Sequence, residues 1–229
     1  MNDMLKNILL TGPTGFIGGR LLYALDEAGF RVRCLVRISE ELVIKRPLQR
    51  EPEVGYADLL QPDTLPEAME GIDAAYYLVH SMGGRSIAET KAFAERDRQC
   101  AENFLKAAEE AGVQRIIYLG GLGETGDRLF KHLASRQEVA EILQSGRVKT
   151  TALRAAVIIG AGGASFELIR FLAERLPVMM CPRWIKTRSQ PIAVQNVISY
   201  LRCLSLRQGS LLTGSISSPQ CLQALSFPW

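Results

Sequence analysis

The sequence predicts an α/β protein with a doubly wound parallel sheet. Short apolar runs alternate with segments of helical periodicity along most of the chain, and this alternation is typical of a parallel sheet with helices on both faces. The first strand, the helix after it and the second strand together occupy about 30 residues, which is the length of one βαβ unit. A glycine-rich turn lies between that first strand and its helix.

Six apolar runs are assigned as strands, because a strand buried in a parallel sheet is apolar on both faces. They cover residues 7–11, 31–36, 54–57, 74–79, 115–119 and 150–154. Apolar residues at a spacing of three or four predict helices that begin at 16 and that cover 64–69, 87–111, 131–144 and 194–206. Gly29 and Gly112 follow two of these helices and are suited to end them.

The composition is that of a globular protein and excludes several classes. Of the 229 residues, 47% are hydrophobic and 22% are charged, whereas a disordered chain is poorer in apolar residues. A net charge of +3 without a basic run predicts no nucleic-acid partner. No uncharged apolar window reaches about 18 residues, so no membrane span is expected.

The five cysteines and two histidines give no metal-binding pattern. No C-x-x-C pair is present, and the low density of cysteines argues against a disulfide scaffold. We therefore expect reduced thiols, no metal site and a cytoplasmic protein. The length predicts one domain over residues 1–204, followed by an irregular serine-rich tail over 205–229.

The glycines of the first turn stand three residues apart, at Gly12, Gly15 and Gly18. Gly12 permits a tight turn, and the missing side chain at Gly15 lets a pyrophosphate approach the backbone. Gly18 lets the helix pack close to the sheet. Backbone N–H groups and the positive end of the helix dipole then face the phosphates. The turn therefore predicts dinucleotide binding, with a plain structural turn as the alternative.

Several segments together resemble a known family. They are Thr11–Gly18, Asp58–Leu59, Tyr77–Gly83, Tyr118–Gly123 and Leu153–Gly160. In this order they resemble the NmrA-like, NAD(P)H-binding branch of the atypical and extended short-chain dehydrogenase/reductases, which is often described as nucleoside-diphosphate-sugar epimerase-like. The resemblance covers residues 5–200 and implies a Rossmann fold that binds NAD(P)H.

The residue after the second strand is expected to select the cofactor. An acidic residue there binds the ribose 2′-hydroxyl of NAD, whereas a basic residue suits the 2′-phosphate of NADP. Arg37 holds this position, and a guanidinium can bind a phosphate through two hydrogen bonds. This predicts NADP(H) over NAD(H), and a solvated surface arginine is the alternative.

The predicted cofactor contacts fall into three groups. The residues expected to hold the pyrophosphate are Gly12, Thr14, Gly15, Phe16, Ile17 and Gly18. The resemblance implies that Asp58 and Leu59 border the adenine. It also implies that Val79, His80 and Ser81 line the ribose and the nicotinamide.

The residues that do the chemistry in the resembled superfamily are missing here. Its members carry a tyrosine and, four residues later, a lysine on the helix after the fifth strand, and a serine or threonine where that strand ends. Here the strand ends in Gly120-Gly121, and His132 and Arg136 take the places of the tyrosine and the lysine. They lie one helical turn apart and are candidate catalytic residues, with histidine as acid or base. In the alternative, His132 is a capping or solvent-facing residue and Arg136 forms an ion pair.

These observations predict an atypical reductase or epimerase-like enzyme that acts on an unidentified small molecule. The missing tyrosine, lysine and serine leave a second hypothesis, a regulatory or assembly protein that binds the dinucleotide without turnover. NmrA-like sensors and the nucleotide-binding accessory subunit of respiratory complex I are similar cases. The resemblance implies more chain after the last strand than the 205–229 tail, so we expect an incomplete substrate pocket. The long helix over 87–111 leaves a homodimer and a monomer both open.

Overall fold

The computed structural model describes residues 6–37, 41–79, 87–121, 131–175, 190–206 and 214–215. Its strands are β1 (Asn7–Thr11), β2 (Arg31–Val36), β3 (Glu53–Tyr56), β4 (Ala74–Tyr77), β5 (Arg115–Gly121), β6 (Lys149–Ala155), β7 (Ile158–Ile159), β8 (Ile192–Ala193) and β9 (Gly214–Ser215). Its helices are α1 (Gly18–Glu27), α2 (Leu65–Met69), α3 (Ile87–Glu110), α4 (Lys131–Ser145), α5 (Ala164–Arg175) and α6 (Val194–Leu206), and a 3-10 turn (Pro62–Thr64) precedes α2.

Seven of these strands form one parallel sheet in the order β3-β2-β1-β4-β5-β6-β9. From β1 the chain moves outward through β2 to β3, and it then returns to place β4 on the other side of β1. Such a switch point leaves a crevice at the carboxyl ends of β1 and β4, where open α/β sheets bind ligands. The predicted doubly wound sheet of Rossmann type is confirmed.

Helices cover both faces of the sheet, and each face has its own apolar core. α2, α3 and α4 pack on one face, and α1 and α6 pack on the other. Side chains alternate along β1, so that Leu9 enters the first core while Ile8 and Leu10 enter the second. On β4, Tyr77 and Tyr76 divide between the two cores in the same way.

The observed elements match the predicted ones within a few residues, with two informative shifts. α1 begins at Gly18 and not at Phe16, because the residues before it form a turn in which Gly15 N donates to Gly12 O over 3.0 Å. β5 continues to Gly121, since it pairs with β6 along its whole length. The carboxyl edge of the sheet therefore lies further along β5 than the apolar run predicts.

The sequence pattern missed β7, β8, α5 and β9. β7 and β8 pair with one another in a separate sheet and have two residues each, too few for an alternation to show. β9 lies inside the segment predicted to be irregular and pairs with β6. The rest of 207–229 lies outside the described residues, so the division at residue 204 stays a prediction. None of the described helices combines the length and the apolar character needed to cross a bilayer.

A buried threonine joins the two strands of the switch point. The ladder between β1 and β4 ends at Leu10 and Tyr76, and the next residue of β1, Thr11, is fully buried. Its Oγ1 donates to Tyr76 O and accepts from Leu78 N, both over 2.9 Å. Because the strands separate here, the hydroxyl supplies the connection that a further ladder bond would make.

Thr11→Val keeps the shape of the side chain and removes the hydroxyl, so we expect it to lower the free energy of unfolding by about 1–3 kcal/mol. Urea unfolding followed by circular dichroism measures the change. The control is Thr151→Val on β6, a threonine that is also buried but stands outside this bridge, and its effect should be less than about half as large. Equal changes in the two variants would show that the bridge contributes nothing of its own.

Candidate dinucleotide-binding site

The turn between β1 and α1 is folded so tightly that two of its positions require glycine. A Cβ on Gly18 would lie 2.0 Å from the carbonyl oxygen of Gly12. Gly12 itself has a φ of 65°, which favours glycine, and a Cβ there would lie 3.3 Å from Leu78 O. α1 therefore starts in direct contact with the turn, at the switch point of the sheet.

The start of α1 is open to an anion. Ile17, at the N-cap position, makes no side-chain cap hydrogen bond, and the first turn of α1 contains no acidic residue. The helix dipole places partial positive charge at this end, and the N–H groups of a first turn are donors for a phosphate. The three glycines bring no side chain of their own to the turn, and Gly15 is exposed, so a diphosphate can approach the backbone there.

Phe16 and Arg20 tie the turn to a distant loop. The Arg20 guanidinium lies 4.3 Å from the centroid of the Phe16 ring. Its Nη1 donates to Phe16 O over 2.9 Å, and its Nη2 donates to Ala161 O over 2.7 Å. The Phe16 ring also packs against the loop, where a Cβ on Gly163 would lie 3.0 Å from it. The Phe16 side chain thus packs against the loop and against Arg20. The sequence analysis did not assign Arg20 to the site.

A cleft of about 540 Å³ opens beside the turn. Its walls come from the turn itself, the end of β2, the loop over 57–60, the end of β4 and one face of α3. The predicted cofactor contacts that line it are Gly12, Thr14, Gly15, Arg37, Asp58, Leu59 and Val79. Phe16, Ile17 and Gly18 belong to the turn that borders it. His80 and Ser81 lie outside the described residues.

The loop after β3 is held in place by its own hydrogen bonds. Asp58 Oδ1 accepts from Leu60 N over 2.9 Å, and Asp58 N donates to Thr64 Oγ1 over 3.1 Å. From α3, Asn103 Nδ2 donates to Leu59 O over 2.8 Å. These bonds tie the loop to the 3-10 turn before α2 and to α3.

α3 contributes three cleft residues that the sequence analysis did not assign to the site, Phe93, Arg96 and Cys100. Their spacing of three and four places them on one face of a helix, but only tertiary packing decides which face is turned to the cleft. Burial raises the pKa of the Cys100 thiol to about 11, and the negative charges of Asp97 and Asp58 act in the same direction. The thiol is therefore protonated at neutral pH.

The candidate catalytic residues lie on α4, and neither is among the described residues that line the cleft. The side chain of His132 lies outside the described part of the structure. Arg136 follows one turn later and is partly buried, and its carbonyl accepts a hydrogen bond from Tyr118 Oη over 3.0 Å. Next to it, Ser135 Oγ donates to the buried Asp97 Oδ2 of α3 over 3.1 Å. The catalytic roles of His132 and Arg136 stay predictions.

Tyr118 gives a physical reason why β5 ends without a hydroxyl-bearing residue. A Cβ on Gly120 would lie 2.9 Å from the Tyr118 ring, and the hydrogen bond from Tyr118 to α4 holds that ring in place. Burial raises the pKa of the Tyr118 phenol well above its usual range, so that it remains a donor at neutral pH. A serine at position 120 would require this ring to move.

A second cavity, of about 410 Å³, lies at the amino ends of β1, β2 and β3. Charged groups that line it are held by their neighbours. Arg33 Nε lies 2.8 Å from Glu53 Oε2, and the Asp26 carboxylate accepts from the N–H groups of Gln49 and Arg50. Because open parallel sheets bind ligands at their carboxyl ends, the larger cleft is the candidate dinucleotide site.

Gly18→Ala places a methyl group where the Gly12 carbonyl stands, so we expect it to lower the free energy of unfolding by about 1–3 kcal/mol and to abolish dinucleotide binding. Thermal unfolding and calorimetric titration measure the two effects. The control is Gly19→Ala, where the Cβ would lie 3.2 Å from Pro13 O and alanine favours the helix. If Gly18→Ala bound and unfolded like Gly19→Ala, the close contact would not be needed.

Comparison with known proteins identifies the family. A family model described as NAD(P)H-binding matches residues 12–164, which is more than half of the chain. The 3 beta-hydroxysteroid dehydrogenase/Delta 5-->4-isomerase of Mycobacterium tuberculosis is 32% identical over 123 residues, which cover 50% of this chain and 31% of that protein. The ceramide reductase of Caulobacter vibrioides is 27% identical over 172 residues, which cover 75% of this chain and 52% of that protein.

The chain spans about a third to a half of the length of these curated relatives. Among solved structures, the Bordetella bronchiseptica enzyme WbmG in complex with NAD shares the fold, with a TM-score of 0.73 over 93% of this chain and 72% of that chain at 17% identity. The resemblance predicted from the sequence is confirmed. With the glycine turn at the switch point and the cleft beside it, these matches show that the chain belongs to the NAD(P)H-binding family of short-chain dehydrogenase/reductase-like Rossmann proteins.

Proposed function

We propose that this protein binds NADP(H) and is an atypical reductase or epimerase-like enzyme that acts on an unidentified small molecule. The observation that carries the proposal is that the glycine turn and Arg37 line one cleft at the carboxyl ends of β1 and β2. The turn supplies the diphosphate site, and Arg37 supplies a cation where a 2′-phosphate would lie. The similar proteins named above are a dehydrogenase and a reductase, which favours hydride chemistry here.

The residues of the cleft divide the work of binding. The backbone of the turn donates to the diphosphate, and the Arg37 guanidinium binds the 2′-phosphate through charge-assisted hydrogen bonds. Asp58 and Leu59 border the adenine from the loop after β3, and Val79 lies toward the nicotinamide half. When bound, the cofactor gives or accepts a hydride.

Proton transfer needs a group other than the usual tyrosine. On α4, His132 is the residue type that exchanges protons near neutral pH, and Arg136 is a fixed cation one turn away. We propose that His132 is the acid or base and that Arg136 holds an oxygen of the substrate or of the ribose. A protein that binds the dinucleotide without turnover would need neither role.

We expect Arg37→Ala to weaken NADPH binding by about tenfold to a hundredfold and to change NADH binding by less than about threefold, because an arginine–phosphate bond contributes to NADPH alone. Isothermal calorimetry with both cofactors measures this. Arg31→Ala is the matched control, since Arg31 is an exposed arginine at the opposite end of β2.

Tighter binding of NADH than of NADPH by the unchanged protein, or an equal loss of both in Arg37→Ala, would contradict the preference for NADP(H). Oxidation of NADPH by a panel of ketones and aldehydes, with His132→Gln as the variant, addresses turnover. A rate that depends on His132 supports the enzyme. Cofactor binding without oxidation of NADPH by any compound of the panel supports the protein without turnover.

Bound cofactor is expected to protect Cys100 from alkylation. With a pKa of about 11, about one thiol in a thousand is ionised at pH 8, so its reaction with iodoacetamide is slow and speeds up about tenfold per pH unit up to pH 10. Mass spectrometry of the peptides follows each cysteine. Saturating NADPH should slow modification of Cys100 at every pH, whereas the fully buried Cys34 stays unmodified with or without it. Equal rates of Cys100 alkylation with and without NADPH would show that the cofactor binds outside this cleft.

A further inference from the structure

One face of α3 forms a wall of the cofactor cleft. Phe93, Arg96 and Cys100 line the cleft together, and their spacing repeats the helical period. One turn further on, Asn103 continues the same face and donates to Leu59 O over 2.8 Å. The bond fixes this face of the helix against the loop that is proposed to border the adenine.

On the opposite face of α3, two glutamates are paired with Arg98. Arg98 Nη1 lies 2.8 Å from Glu102 Oε1, and the Arg98 guanidinium also contacts the Glu95 carboxylate. Residues 95, 98 and 102 lie about half a turn away from 93, 96 and 100. The carboxylates of Glu95 and Glu102 are therefore paired with Arg98. Asp97, which is next to Arg96 in the sequence, is buried and accepts from Ser135 Oγ over 3.1 Å.

Arg96 places a positive charge in the cleft. Its side chain is exposed, and its guanidinium carbon lies 5.7 Å from the centroid of the Phe93 ring. Within the described part of the chain, Arg96 makes this contact with the ring and forms no ion pair. An aromatic ring under a guanidinium restricts its movement and leaves the N–H groups along its edge as donors.

Arg37 lines the same cleft from another wall, at the end of β2. The glycine turn holds the diphosphate at a third wall, so the adenosine half of a dinucleotide must lie between β2 and α3. A 2′-phosphate there carries two negative charges and can accept from more than one guanidinium.

We propose that Arg96 is a second ligand of the adenosine 2′-phosphate, across the cleft from Arg37, and that the Phe93 ring holds its guanidinium in position. The proposal rests on the function proposed above, since it adds a residue to the selection of NADP(H). Arg96 acts here in binding alone and takes no part in the chemical step.

The test uses two nucleotides that differ only in the 2′-phosphate, adenosine 2′,5′-bisphosphate and 5′-AMP. Calorimetry with the unchanged protein, Arg96→Met and Arg98→Met compares them. Arg96→Met keeps most of the apolar stem and removes the charge, and we expect it to weaken bisphosphate binding by about tenfold or more and 5′-AMP binding by less than about twofold. Arg98→Met makes the same charge change on the opposite face of α3 and should leave both affinities unchanged.

An equal loss for the two nucleotides would mean that Arg96 stacks on the adenine, and no loss would mean that it does not reach the ligand; either result overturns the inference. If the unchanged protein binds the two nucleotides equally, both the preference for NADP(H) and the role of Arg96 are wrong. If the unchanged protein prefers the bisphosphate and Arg96→Met does not alter that preference, only the role of Arg96 is wrong. Circular dichroism checks that each variant is folded. Arg96→Lys, which keeps the charge without the planar fork, should lose part of the bisphosphate affinity and decides the matter if Arg96→Met does not fold.

Discussion

The contact on which the rest of this structure depends joins two glycines. The first turn of α1 rests on the carbonyl of Gly12, because a side-chain atom on Gly18 would stand 2.0 Å from that oxygen. The contact sets how near α1 lies to the sheet, and its residues Leu21 and Leu25 are then completely enclosed in the core. It also fixes the helix start at the switch point. The packing of one face and the position of the proposed phosphate site thus follow from one steric constraint.

Two side chains hold the turn from opposite directions. Thr11 ties the strand before it to β4, and Arg20 ties the residues after it to the loop at Ala161. A turn held at both ends has its N–H groups oriented before a ligand arrives, and donors that are already in place lose little entropy on binding. Arg20 therefore helps to hold the turn in place, although it is not among the described residues that line the cleft.

Local patterns predict most of this fold, because glycine spacing and apolar runs are properties of short segments. The contacts that complete the site are not local, as Arg20 and Ala161 stand 141 positions apart. The spacing of Phe93 and Arg96 is visible in the sequence, but only the packing of α3 shows that this face is turned to the cleft. The sequence likewise shows only that a serine is missing at the end of β5. The structure adds the reason, because the Tyr118 ring occupies the space beside Gly120.

The described lining of the cleft contains more positively than negatively charged side chains. Arg37 and Arg96 line it, and Asp58 is the acidic residue among its described lining, where it accepts from Leu60 N. Two guanidinium groups on one cleft repel each other, and a dianion between them offsets that repulsion. A carboxylate at the end of β2, which would bind a 2′-hydroxyl, would balance one of these cations instead. Under the proposed preference for NADP(H), a 2′-phosphate would add negative charge beside these two cations, whereas the 2′-hydroxyl of NAD(H) would add none.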